Sequence, residues 1–296
     1  MNTNHQKGAV LITGTSTGIG RAAALQLDQL GYQVFATVRK EQDADSLRSQ
    51  ASKRLTPLMM DVTDEASISQ AADLVSQMVG EAGLAGLVNN AAIGFTSPLE
   101  FVPLDDLRWL FEVNFFGQLA VTQKLLPLLR QAQGRIVNIS STASCVVAPF
   151  HGPYSSSKLA LNGLTDALRL ELKPLGVQVC LILYGSVKTP IWDSGGSISK
   201  QVVQDYPAQA WNLYGENYRI LGDYFNKIGK AGITTEQAIQ PVVHALTSEH
   251  PKVRYIVGRD ARKFNLLNKF LYGRLGDWII KRTIGLSDNI ENLVQP

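Results

Sequence analysis

The chain has two cysteines, four histidines and nearly balanced charge, and it contains no long apolar run. Each shortage excludes a class of protein. Cys145 and Cys180 lack metal-ligand spacing and are too few for a disulfide framework, so both read as packing residues. No window approaches the roughly 18 consecutive apolar residues of a membrane-spanning helix. The polar start runs directly into the short stretch 8–12, too brief for a signal peptide, and a cytoplasmic protein is expected. Lys and Arg exceed Asp and Glu by 28 to 25, which leaves no basic surface for nucleic acid. What remains is a globular composition, 45% hydrophobic and 18% charged over 296 residues, long enough to close one large core.

Short, nearly continuous apolar runs alternate with helical patterns. Residues 9–13, 33–38, 56–62, 85–89, 135–140, 178–184 and 253–258 read as strands buried on both faces. Helical periodicity fills 19–30, 65–80, 104–131, 154–173 and 235–248. This alternation predicts an α/β fold, a doubly wound parallel sheet of about seven strands with helices on both faces. No repeat or linker divides it, so residues 1–260 are expected to form one domain, with 261–296 as an extension.

Two segments break the rhythm. Residues 190–230 carry Trp192, Tyr206, Trp211, Tyr214, Tyr218, Tyr224 and Phe225, and an insertion of this kind reads as a substrate lid or as small helices packed on the body. After the last strand, Phe264, Leu266, Leu267, Phe270, Leu271, Leu275, Trp278, Ile279 and Ile280 alternate with Arg262, Lys263, Lys269, Arg274, Lys281 and Arg282. That amphipathic, basic pattern suits a helix lying on a membrane surface or docked on a protein surface, with Gly273 and Gly276 against one continuous helix.

The first strand opens into Thr13-Gly14-Thr15-Ser16-Thr17-Gly18-Ile19-Gly20 and then a helix. Gly14 permits the turn off the strand, Gly18 a close approach to pyrophosphate and Gly20 tight packing of helix on sheet. The helix N-terminus presents free N–H groups to the anion, with Ser16, Thr17 and Ile19 beside it. At the end of the second strand stands Thr37-Val38-Arg39-Lys40, without the acid that would bond a ribose 2′-hydroxyl. Arg39 offers a planar fork to a 2′-phosphate, so NADP(H) is expected ahead of NAD(H).

Tyr154 and Lys158 lie four apart on one helical face, where an ammonium would lower the phenol pKa toward the range useful for acid–base catalysis. Ser141 closes the fifth strand, on the carboxyl side of the sheet, with Ser140 as the competing hydroxyl. With Asp61-Val62, Asn89-Asn90-Ala91, Asn114 and Gly185-Ser186-Val187-Lys188-Thr189, these motifs follow one another as in the classical short-chain dehydrogenase/reductase family, which the chain resembles over about residues 8–190. Beyond 190 it is nearer to the retinol and 17β-hydroxysteroid dehydrogenase-like members.

The resemblance implies a Rossmann-type fold and selects Ser141 over Ser140. It implies that Asp61 and Val62 meet the adenine, that Asn90 lies in the cofactor site, and that Val187 and Thr189 hold the nicotinamide carboxamide. It gives Lys158 the nicotinamide ribose, Asn114 a water that relays protons from Lys158, and the chain a homodimeric or homotetrameric assembly. The expected reaction interconverts a carbonyl and an alcohol on a lipophilic small molecule. A NAD-preferring alcohol dehydrogenase, or a low-turnover cofactor-binding scaffold, is the alternative. Two positions depart from the family: Tyr184 stands where proline is usual, and Ala92 where glycine is usual. His151 reads as a solvated loop histidine, or as a residue at the pocket mouth.

Overall fold

The computed structural model describes residues 7–267 and 273–286. Lys269, Phe270 and Leu271 of the basic amphipathic pattern, the side chains of Leu266 and Leu267, and the polar residues before Lys7 lie outside the described residues.

Strands β1 (Lys7–Ile12), β2 (Tyr32–Val38), β3 (Leu55–Met59), β4 (Gly86–Asn89), β5 (Arg135–Ser141), β6 (Gln178–Tyr184) and β7 (Arg254–Val257) form one sheet in the order β3-β2-β1-β4-β5-β6-β7. Every pairing is parallel. The order reverses between β1 and β4, and the crevice beyond their carboxyl ends is where sheets of this kind bind ligands. Alternate residues of each strand feed two cores. Val10 and Ile12 face one side, with Ala23, Ala24 and Leu27 of helix α1 (Gly18–Gln29) and Val242 of α9 (Thr235–Thr247); Ala9 and Leu11 face the other. The second core is closed by α3 (Glu65–Val79), α5 (Gly117–Gln131) and α6 (Gly152–Leu172).

The short helix α2 (Glu41–Arg48) has no counterpart in the hydrophobic periodicity, because Ala44 and Leu47 are its buried residues and the rest is polar. The helical stretch 104–131 is continuous but not uniform: α4 (Leu104–Phe111) passes through a π-helical turn, Glu112–Phe116, into α5. The aromatic insertion forms α7 (Ile191–Val203) and α8 (Ala208–Ala231). After β7, α10 (Arg259–Leu267) leads on toward α11 (Arg274–Ile284), whose N-cap is Gly273 at φ 87°. Among the described residues no helix is long and apolar enough to cross a membrane. Cys180 is buried in the core and Cys145 is half-buried.

Candidate active site

The turn after β1 is fixed by hydroxyls and one amide. Thr13 Oγ1 accepts the N–H groups of Asn90 and Ala91, both at 2.9 Å, and Asn90 Nδ2 donates to the carbonyls of Thr13 and Gly14, also at 2.9 Å. Gly14 N donates to Thr37 Oγ1 at 3.3 Å. Gly14 holds φ at +67°, and a Cβ there would lie 2.8 Å from Ala91 Cα. At Gly20 a Cβ would collide with Asn90 Nδ2, so the helix can approach this brace only without a side chain. The N-cap of α1, Thr17, makes no side-chain capping bond, and the first turn carries no acid. A helix end left in this state suits a phosphate.

Gly14, Ser16, Thr17, Gly18 and Ile19 line one end of a cavity of about 540 Å³, together with Arg39, Asp61, Val62 and Asn90. Arg39 is 63% exposed and 3.8 Å from Asp61 Oδ2, an exposed pairing of the kind worth little and easily exchanged. Asp61 Oδ1 accepts from Thr63 N and Oγ1 at 2.9 and 2.8 Å. The residues present fit a dinucleotide with a 2′-phosphate: a glycine cradle, an uncapped helix end, and a guanidinium where an acid would oppose the phosphate.

The same cavity is lined by Ser141, Tyr154, Lys158, Val187 and Thr189. Lys158 Nζ is buried, donates to the Ile139 carbonyl at 3.0 Å and lies 5.8 Å from the Tyr154 ring centroid. Burial pulls its pKa down to about 8. Burial pushes the Tyr154 phenol up to about 12, opposed by the hydrogen-bonding Ser141 hydroxyl. The lowering of the phenol by Lys158 expected from spacing is not what dominates: burial penalises the charged form of each group, raising the phenol and lowering the ammonium. Ser140 is buried and donates instead to Asn162 Oδ1 at 2.7 Å, which leaves Ser141 facing the phenol.

Asn114 and Gly20 stand behind the cavity wall. Asn114, in the π-helical turn, is fully buried; its Oδ1 accepts from Ile93 N, and its Nδ2 donates to Ile93 O and Ser157 Oγ, at 2.9, 2.9 and 3.1 Å. Tyr184 in place of proline is a core residue: its ring packs between sheet and α9, and its hydroxyl donates to Ala238 O at 2.5 Å. Ala92 keeps a negative φ, as its replacement of glycine requires.

Helices α7 and α8 close the other end. Trp192, Tyr218 and Phe225 line the cavity, and Trp192 Nε1 donates to the Val187 carbonyl at 2.8 Å. Thr96 binds α7 and α8 through Ser199 and Tyr218: Thr96 N donates to Ser199 Oγ, and Tyr218 OH donates to Thr96 O, each at 2.9 Å. His151 is a half-buried loop residue that lines the cavity, in keeping with the pocket-mouth reading. Its imidazole stacks on Tyr154 at 5.0 Å between centroids, meets Phe225 at 4.8 Å, and is pulled down to a pKa of about 4 by burial. Phe225 of α8, remote in sequence, covers one side of the half-buried ring.

Sequence reasoning missed three supports. Thr13 and Thr37 were adjacent to the motifs, and a hydroxyl at a strand end facing a turn was the available signal. Asp260 gave no such signal: its Oδ2 accepts from Ser186 N at 2.7 Å, holding the turn after β6 across a long sequence separation.

Residues 8–197 match the model of the short chain dehydrogenase family. The chain is 38% identical over 282 residues to 17-beta-hydroxysteroid dehydrogenase type 6 of Bos taurus, covering 93% of this chain and 88% of that one. It is 38% identical over 285 residues to retinol dehydrogenase 5 of Mus musculus, covering 92% and 89%. It is 35% identical over 282 residues to the NADPH-dependent 3-dehydrocapnine reductase of Ornithobacterium rhinotracheale, covering 93% and 96%. A solved short-chain dehydrogenase from Streptomyces avermitilis shares the fold, with a TM-score of 0.74 at 24% identity over 96% of this chain and 98% of that one. A parallel sheet with its cradle at the β1–β4 crevice, a tyrosine and lysine in the same cavity and these likenesses have one reading: the chain belongs to the short-chain dehydrogenase family, near its retinol and steroid dehydrogenases.

Proposed function

We propose that this protein uses NADP(H) to interconvert a carbonyl and an alcohol on a lipophilic substrate. The observation that carries the reading is the continuity of one cavity from the glycine cradle and Arg39 to Ser141, Tyr154 and Lys158 and on to the aromatic lid. Gly14 to Gly20 would hold the pyrophosphate, Arg39 the 2′-phosphate, Asp61 and Val62 the adenine, and Val187 and Thr189 the carboxamide, with Asn90 bracing the cradle. When bound, the nicotinamide supplies or accepts the hydride.

In reduction Tyr154 gives its phenolic proton to the substrate oxygen, and Ser141 donates a hydrogen bond to the same oxygen as charge develops. In oxidation the phenolate accepts the alcohol proton. Lys158 is tethered by Ile139 O where it can hold the cofactor ribose and stabilise that phenolate. Asn114, bound to Ile93 on both sides of its amide, keeps the π-helical turn open beside α6, the place for a water that returns protons to Lys158.

The apolar wall of Phe95, Ile191, Trp192, Val203 and Phe225 favours steroid-, retinoid- or long-chain substrates over small polar ones. Two surfaces support assembly and location. Leu104, Trp109, Phe116, Leu159 and Leu170 leave apolar surface on α4 to α6, suited to a homodimer or homotetramer. On α11, Leu275 and Trp278 are 64% and 56% exposed, with the Arg282 guanidinium 5.5 Å from the Trp278 ring, suited to peripheral contact between a cytoplasmic protein and an anionic bilayer. The test is turnover of purified protein with NADPH or NADH against steroid, retinoid and aliphatic carbonyls, followed by nicotinamide absorbance. NADPH-driven reduction of the apolar carbonyls is expected. A strong NADH preference overturns the role of Arg39, and no turnover with any carbonyl or alcohol overturns the reaction.

A further inference from the structure

The loop that leads into α6 is bent so that two consecutive rings grip the lid. Phe150 holds φ at 62°, a region that bulky side chains seldom enter, and its carbonyl accepts from Ser97 N at 2.8 Å. The Phe150 ring meets Tyr214 and Tyr218 of α8 edge-on, at 5.8 and 5.7 Å between centroids. The next residue, His151, is the N-cap of α6, and its carbonyl accepts from Ser155 N at 2.9 Å. Its imidazole lies within 20° of parallel to the Tyr154 ring and also meets Phe225 of α8. The lid helix thus rests on the residues that immediately precede the tyrosine.

We propose that His151 is a positioning residue that bridges the lid helix to Tyr154, so that the seating of α8 sets the orientation of the phenol and keeps water from it. The inference rests on Tyr154 as the proton-transferring group. Among the described residues no hydrogen-bond partner meets the imidazole nitrogens, so the contact is one of rings and not of protons. The other titratable groups lining the cavity are Lys158 on the tyrosine's own helix, Tyr184 of β6, Lys200 of α7, Tyr218 of α8, and Arg39 and Asp61 after β2 and β3. Burial keeps the imidazole neutral at physiological pH.

Steady-state kinetics with NADPH and a reducible apolar carbonyl test the bridge. His151→Ala is expected to lower kcat about 10- to 100-fold, as a misplaced reacting group does. NADPH affinity should be unchanged, and the alkaline limb of reduction should move to lower pH as water reaches the phenol. His151→Phe keeps the ring and should stay near wild-type in both respects. Phe225→Ala should reproduce His151→Ala, and the double variant should be no worse than either single, because both remove one contact chain. Wild-type kcat and pH limb in His151→Ala, a His151→Phe enzyme as impaired as His151→Ala, or additive losses in the double variant would each overturn the proposal. If His151→Ala does not fold, judged by NADPH binding, His151→Phe and Phe225→Ala carry the same test. Activity retained by Tyr154→Phe would instead overturn the reading of the tyrosine, whereas an inactive Tyr154→Phe beside an unimpaired His151→Ala overturns the bridge alone.

Discussion

The sheet side and the lid side of the cavity are built by different means. On the sheet side, hydroxyls and amides in a single turn satisfy one another: Thr13, Thr37 and Asn90 lock Gly14 at about 3 Å on every contact. On the lid side, rings touch rings at 5 to 6 Å, alongside hydrogen bonds that Thr96, Glu100 and Val187 make to side chains of α7 and α8. Hydrogen bonds of fixed geometry suit a phosphate, whose charge and shape do not vary. Aromatic contacts are less directional and adapt to apolar substrates of different outline. Cofactor binding is therefore expected to be sensitive to small changes on the first side and indifferent to the second.

The sharpest break between the two is Tyr154→Phe. Loss of the proton donor should reduce kcat at least about 100-fold while NADPH titration by fluorescence is unchanged. Replacing Arg39 with Asp should act on the cofactor side alone, removing a charge-assisted contact worth about 1.5–3 kcal/mol and moving the NADPH-to-NADH preference by about 10- to 100-fold toward NADH. Lid kinetics with a common cofactor should not change.

The pH dependence separates Tyr154 from Lys158. A phenol raised to about 12 stays protonated, so reduction should remain level from neutral pH and fail only as pH approaches that value. Oxidation, which needs the phenolate, should rise with pH over the same range. A break near pH 8 in both directions would place control on Lys158, whose pKa burial pulls to about 8. Trp192→Phe removes the bond to Val187 O and keeps the ring, so KM for a bulky substrate should rise several-fold, about 1 kcal/mol, without a change in NADPH affinity. Tyr184→Phe is the mildest: loss of the bond to Ala238 O should cost about 1 kcal/mol, a fall of a few degrees in Tm, with kcat retained.

Legibility follows the same division. The glycine turn, Ser141, Tyr154-Lys158 and the strand pattern are local: each is a run of neighbours whose spacing carries its geometry. Asp260, which holds the turn at Ser186, and Phe225, which meets His151, are distant in sequence from what they touch, and no periodicity marks them. Helix α2 was missed for a related reason: two buried residues do not make a period. Tyr184, a departure from the family pattern at the pocket edge, lines the cavity and also serves as a core residue bonded to α9, a role its spacing does not show.

By itself the sequence determined the alternation of strands and helices, the glycine turn, and which side chains are proposed for proton transfer and for phosphate binding. Each depends on spacing within one element or one turn, where covalent connection fixes distance. Only the tertiary structure decided the electrostatics and the enclosure. Burial, which raises Tyr154, lowers Lys158 and turns His151 from a solvated residue into a neutral ring against the tyrosine, is a property of what surrounds a group in space. Around His151 part of that surrounding is Phe225, from a helix more than fifty residues further along the chain, whereas Lys158 is held by Ile139 O of β5.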